Sequence, residues 1–152
     1  MKYMTESKEI QLLDSNILIY AYDSSEKEKH ITAKNLLADC WKRKKIYALS
    51  VQNLSELFVV TTKKITIPVK TDEMKQNIQD IIYFSNFNIL SINKNNILRA
   101  IDISAEYGIS YWDALIASVM KENNISCIIT ENDKDFKKIS WLKVINPFVD
   151  ES

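Results

Sequence analysis

The chain has 152 residues, 46% hydrophobic and 26% charged, which suits one ordinary globular domain with a core of its own. The formal net charge is +0, so the overall balance favours no class of partner. A single glycine, Gly108, excludes the glycine-rich phosphate loop and the dinucleotide fingerprint, which need glycine where backbone approaches phosphate.

Taken in chain order, residues 1–9 read as a frayed segment with no signal-peptide h-region. Ile10 to Asn16 begins as an apolar run and ends in Asp-Ser-Asn, a buried strand entering a helix N-terminus. ILIYAY continues as a short helix. From Ser25 to Lys44 the residues Ile31, Ala33, Leu36, Leu37, Cys40 and Trp41 recur at helical spacing. Ile46 to Ser50 reads as a second strand and Val51 to Thr62 as a helix with Val51, Leu54 and Phe58 inward and Leu57 as a further inward candidate. Pro68 interrupts the chain; Thr71 is a plausible N-cap for a helix over Met74 to Phe84. Phe87 to Ile92 is a third strand. Lys94 to Tyr107 is a helix ending at Gly108, which suits the left-handed cap. Ser110 caps a helix over Trp112 to Asn123. Cys127 to Thr130 is a fourth strand leading into an acidic loop, and Leu142 to Ile145 is a last strand before Pro147. Strands alternating with helices predict an α/β domain around a mostly parallel sheet.

No apolar run approaches the ~18 residues of a membrane span, so no membrane partner is expected. Cys40 and Cys127 fall in no CxxC pattern and sit in apolar segments, which predicts two core thiols and a reducing, cytoplasmic setting. The run Lys42, Arg43, Lys44, Lys45 reads first as a solvated helix end.

Acids occur in four apolar contexts: LLDSN at Asp14, LSEL at Glu56, YWDAL at Asp113, and TENDKDF at Asp133 and Asp135. Each has an ordinary explanation. Asp14 could cap a helix, Glu56 could face solvent, Asp113 could favour a helix dipole, and Asp133 and Asp135 could be turn residues. Their shared placement carries more weight. Parallel sheets bind ligands outside the carboxyl ends of their strands, and all these acids fall at that edge. Gathered carboxylates raise one another's pKa, and a divalent cation relieves the conflict. Oxygen ligands without clustered His or Cys point to Mg2+ or Mn2+ rather than zinc. The reaction class that follows is metal-assisted phosphoester hydrolysis. The single histidine, His30, reads as a surface or partly packed residue. Trp112 could stack on a base, although packing at a helix start is the more ordinary use.

At LLDSNILIYAYD, QNLSELF, GISYWDALIASVM and IITENDKDF, in this order, the chain resembles the PIN-domain ribonucleases, and most closely the VapC-type toxins of toxin–antitoxin pairs. The resemblance runs from Leu12 to about Pro147. It implies a PIN-like three-layer α/β/α fold and a Mg2+- or Mn2+-dependent endoribonuclease acting on RNA. Asp14 and Asp113 would be inner metal ligands, and Glu56 would bind metal through water or orient the attacking water. A fourth acid would complete the site. TENDKDF can be aligned with Asp133, Asp135 or Asn132 in that place, and matching DKDF to an Asp-x-Asp-Phe ending prefers Asp133. Ser15 follows the first acid as in the family. Asn16 would position Asp14, and Thr130 would act near the fourth acid. The resemblance also implies a homodimer and a VapB-like antitoxin.

Two other readings use the same residues. One is a catalytically silent PIN-like module that holds RNA or a protein tail. The other is a phosphoacceptor domain with Asp14 phosphorylated, which the Ser-Asn-Ile after Asp14 disfavours because it lacks the Asp-x-Asp pattern.

Overall fold

The structure, a computed structural model, describes residues 9–149. The expected frayed segment falls almost wholly on residues 1–8, outside the described residues. Five short strands form one parallel sheet: β1 (Gln11–Leu13), β2 (Tyr47–Ser50), β3 (Phe87–Leu90), β4 (Cys127–Ile129) and β5 (Lys143–Ile145). Their order across the sheet is β3-β2-β1-β4-β5. Leu12 pairs with Ala48 on one side and with Ile128 on the other, which makes β1 the centre.

Among the described residues, seven α-helices surround the sheet: α1 (Ser15–Tyr22), α2 (Glu28–Trp41), α3 (Val51–Lys63), α4 (Thr71–Tyr83), α5 (Lys94–Tyr107), α6 (Tyr111–Glu122) and α7 (Asp133–Phe136). Adjacent strand residues point to opposite faces, so the sheet divides the core in two. Leu12, Ala48 and Ile128 pack with Ala100 of α5 and with Ala114, Ala117 and Met120 of α6. Leu13, Leu49 and Ile129 pack on the other face with Ile17, Leu37, Leu57 and Met74 from α1 to α4. This is the expected three-layer α/β/α arrangement. It also explains why the strands carry apolar runs rather than alternation: both faces are covered.

The chain runs from β1 outward to β2 and β3, then returns to the other side of β1 for β4 and β5. The strand order therefore reverses between β1 and β4, and a crevice opens at their carboxyl ends. Asp14 and Thr130 are the first residues beyond those two strands.

Several local expectations change. The helix expected from Ser25 is divided. Asp23 caps a 3-10 turn, Ser24–Glu26, by accepting from the Ser25 amide and hydroxyl, and Lys27 at φ 45° separates that turn from α2. Ala33, Leu37 and Cys40 are buried in α2, but Ile31 is largely exposed because it lies on the outer side of the helix. Val51 is also exposed, while Leu54 and the further candidate Leu57 are buried as expected. Thr71 is the first helical residue of α4; the cap is Lys70, with no side-chain hydrogen bond. The acidic loop contains one helical turn, α7. Gly108 adopts φ 66° at the end of α5, and Ser110 caps α6, both as the sequence suggests.

Cys40 and Cys127 are buried free thiols. The ring of His30 meets the Tyr20 carbonyl through Nδ1 at 2.8 Å, so it packs against α1. The basic run at Lys42–Lys45 precedes β2 and thus lies at the opposite edge of the sheet from Asp14. Arg43 there stacks over Phe84 and donates to Ser85 Oγ at 3.0 Å. No helix among the described residues is long and apolar enough to cross a membrane.

Candidate active site

Asp14 ends β1 and caps α1, its Oδ1 accepting from the Ser15 amide at 2.8 Å. The opposite oxygen, Oδ2, accepts from the Thr130 hydroxyl at 2.8 Å and from Asn16 Nδ2 at 3.4 Å. Asn53 Nδ2, from α3, reaches Oδ1 at 3.5 Å and the Ser15 hydroxyl at 2.9 Å. These donors hold the side chain but do not offset its burial. Desolvation pushes the Asp14 carboxyl up to about 6, with the charges of Asp113 and Glu56 acting in the same direction against the Thr130 and Ser15 hydrogen bonds.

Asp113 lies in the first turn of α6, where the Ser110 cap fixes its backbone at 3.2 Å. Asn132 Nδ2 donates to its Oδ2 at 3.1 Å. Partial burial raises this carboxyl above the usual range, the nearby charges of Asp135 and Glu56 add to the rise, and hydrogen bonds from Ser110 and Asn132 oppose it. Glu56 sits one turn into α3 and is exposed; its Oε1 accepts from Gln52 Nε2 at 3.0 Å. Asp14, Glu56 and Asp113 face one cavity of about 260 Å3, shared with Asn16, Gln52 and Asn132.

The acidic segment divides its residues differently from the preferred alignment. Asp133 does not line the cavity; it opens α7 and pairs with Lys137 at 3.5 Å. Asp135 is near Lys138 at 3.9 Å, and its charge is the one from this segment that acts on Asp113. Asn132, the third alternative, lines the cavity itself. Asp135 does not line the cavity either, so of the three alternatives Asn132 alone is in its wall.

Thr130 and Asn16 join the two central strands. Thr130 Oγ1 accepts from the Asn132 amide at 2.9 Å and from Asn16 Nδ2 at 3.3 Å while donating to Asp14. Asn16 Oδ1 accepts from the Glu131 amide at 3.2 Å. The side chain of Glu131 points outward, where Tyr20 donates to Oε1 at 2.6 Å and Lys29 pairs with Oε2. Sequence reasoning passed over Asn53, Gln52 and Glu131. For Asn53 a signal was available: with Ser50 it forms a reciprocal capping box, three residues before Glu56 on the same helix. Glu131 had none, since its side-chain partners, Tyr20 and Lys29, are more than 100 residues away.

Among the described residues, no three His, Cys, Asp or Glu side chains close on one point. A closed cage is therefore absent, but a hard cation does not need one: Mg2+ takes one or two carboxylates and keeps its remaining waters. Two desolvated carboxylates, Asp14 and Asp113, facing one open cavity have that donor chemistry and lack a compensating positive charge within it.

The family model described as PIN domain matches residues 12–142. No curated protein sequence matches the chain. A toxin–antitoxin complex from Klebsiella pneumoniae is similar at 25% identity and a TM-score of 0.60, over 91% of this chain and 98% of that one. VapBC2 from Rickettsia felis, solved on a DNA fragment from its promoter, is 25% identical with a TM-score of 0.63, over 90% and 98%. VapC20 from Mycobacterium tuberculosis, a sarcin–ricin-loop-cleaving toxin, shares the fold at 15% identity and a TM-score of 0.59, over 77% and 85%. The five-stranded parallel sheet with helices on both faces, the acids at its strand-order reversal and the match across most of the sequence together establish that this chain belongs to the PIN-domain family.

Proposed function

We propose that this protein is a Mg2+- or Mn2+-dependent endoribonuclease, a single domain serving as the toxin of a toxin–antitoxin pair. The observation that carries the reading is Asp14 and Asp113 facing one cavity with both carboxyls held above their ordinary range by desolvation. Strained ionisation of this kind marks a site built for a cation or a proton. Asp14 and Asp113 would hold the metal. When bound, it neutralises charge on the phosphodiester and makes water a stronger nucleophile at neutral pH.

The chain's own residues do the rest. Thr130, Asn16 and Ser15 fix the rotamer of Asp14, and Asn132 does the same for Asp113. Glu56, tethered by Gln52 on the cavity wall, is in place to orient the attacking water and accept its proton. Asp135 rather than Asp133 supplies the fourth negative charge, supported by its action on Asp113. The antitoxin, the homodimer and the cytoplasmic setting belong to the same reading. Its support for the antitoxin is the likeness to assemblies of toxin with antitoxin.

The test is cleavage of single-stranded RNA with magnesium by the wild type, Asp14→Asn and Asp113→Asn, each checked for folding by circular dichroism. Loss of cleavage in both variants is expected. Equal activity in all three would overturn the assignment.

A further inference from the structure

Trp112 precedes Asp113 on α6, and core packing was the more ordinary expectation for it. In the structure its side chain is 64% exposed. Its ring is braced edge-on by Tyr111, with centroids 5.1 Å apart and an interplanar angle of 76°. The indole forms one wall of a second cavity of about 420 Å3, completed by Gln52, Ser55 and Glu56. Trp112, Gln52 and Glu56 also line the carboxylate cavity, so the two cavities adjoin and share a wall.

An exposed indole at a helix start needs an explanation, because burying it would be favourable. Gln52 supplies a second mark. Its Nε2 faces two acceptors, Glu56 Oε1 at 3.0 Å and the Trp112 carbonyl at 3.4 Å. That fixes the amide orientation and ties α3 to the start of α6. The opposite atom, Oε1, is buried without a hydrogen-bond partner. A buried acceptor with no donor is unfavourable, and this one belongs to a side chain that walls both cavities.

We propose that the cavity against Trp112 is a nucleobase subsite, in which a base flanking the scissile phosphate stacks on the exposed indole. This rests on the ribonuclease reading of the adjoining carboxylates. A phosphodiester held at Asp14 and Asp113 carries a nucleoside on each side of it, and the adjoining cavity is the space beside the acids that would take one base. Single-stranded RNA presents its bases unstacked, and aromatic faces take them. Ser55 donates its hydroxyl hydrogen to the Val51 carbonyl at 3.0 Å, so in this wall it can offer a base only an acceptor.

Two measurements test the proposal separately from the nuclease assignment. The first compares Trp112→Ala and Trp112→Phe with wild type in RNA cleavage. Stacking of one base contributes enough that Trp112→Ala should raise KM about tenfold to a hundredfold, with kcat changed far less. Trp112→Phe should recover most of the loss, and cleavage sites should become less selective in Trp112→Ala. Wild-type KM and an unchanged cleavage pattern in Trp112→Ala would overturn the subsite. The second needs no catalysis. Fluorescence of wild type minus that of Trp112→Phe isolates the Trp112 signal while a short single-stranded RNA is added, then an abasic phosphodiester chain of the same length. Quenching by the RNA but not by the abasic chain is expected, whether or not the RNA is cleaved. Equal or absent quenching would overturn the proposal, as would quenching by an apolar acidic peptide and not by RNA.

Discussion

Thr130 donates its hydroxyl hydrogen to Asp14 Oδ2 at 2.8 Å, joining the ends of β4 and β1 across 116 positions of sequence. The bond opposes the desolvation that lifts Asp14, and the hydroxyl is in turn held by the Asn132 amide. Thr130→Val keeps the shape and removes the donor. The Asp14 carboxyl should then rise further, and the acid limb of the kcat/KM–pH profile should move to higher pH. Stability should fall by about 1–3 kcal/mol, because the Asn132 amide loses its acceptor. An unchanged acid limb would separate Asp14 from the ionisation that governs catalysis.

The raised Asp14 carboxyl also sets the pH dependence of stability. An acid whose pKa is higher folded than unfolded binds its proton more tightly in the native state. Its favourable contribution is complete below the ordinary value of 3.8 and is lost as pH rises through about 6. In EDTA, urea unfolding should show stability falling over that window by up to on the order of 3 kcal/mol. Asp14→Asn should abolish cleavage and flatten this dependence, since the new amide does not titrate. Added Mn2+ should release a proton from wild type near pH 6, visible by calorimetry in buffers of different ionisation enthalpy. A metal-free protein as stable at pH 8 as at pH 4.5 would contradict the buried-acid account.

Asp135 and Asp133 are two residues apart and should behave differently. Asp135→Asn removes a charge felt by Asp113, so the Asp113 carboxyl should fall toward its ordinary value and cleavage should weaken. Asp133→Asn removes a surface pair with Lys137, of a kind that contributes ~0–1 kcal/mol, and should leave both stability and cleavage close to wild type. RNA cleavage by the two variants under identical magnesium decides between them. The reverse order of effects would restore Asp133 as the fourth acid.

Glu131 lies between Thr130 and Asn132 and is clamped from outside by Tyr20 and Lys29, while Phe148 packs edge-on against Tyr20 at 5.2 Å. Its backbone amide reaches Asn16, so the clamp and the Asp14 network share one short segment. Glu131→Ala should lower kcat by up to about a hundredfold through misplacement of Thr130 and Asn132, with folding retained. Tyr20→Phe removes one of the two outer contacts and should show a smaller loss. Kinetics of both variants beside their circular dichroism spectra make the check; full activity in Glu131→Ala would show that the segment holds its shape unaided.

The architecture was legible because its signals are local. Apolar runs at Leu12–Leu13 and Ile128–Ile129 mark strands that are covered on both faces, and Gly108 and Ser110 end and start helices through their own backbone and side-chain chemistry. Solvent exposure was less legible. Ile31, Val51 and Trp112 are apolar residues on helices, and periodicity alone does not say which of two neighbouring faces meets the sheet. The 3-10 turn at Ser24–Glu26 shifted the start of α2, and the helical turn at Asp133 rotated the acidic segment.

By itself the sequence determined an α/β chain with acids beyond its strands, because strand and helix patterns and the residues that punctuate them act within a few positions. Tertiary structure decided which acids share a cavity, how far Asp14 is desolvated, that Asp133 lies outside that cavity, and that Trp112 stands exposed beside it. Those properties depend on groups brought together from β1, α3, α6 and the turn after β4. Burial and Coulomb interaction act through space, and sequence separation does not enter either.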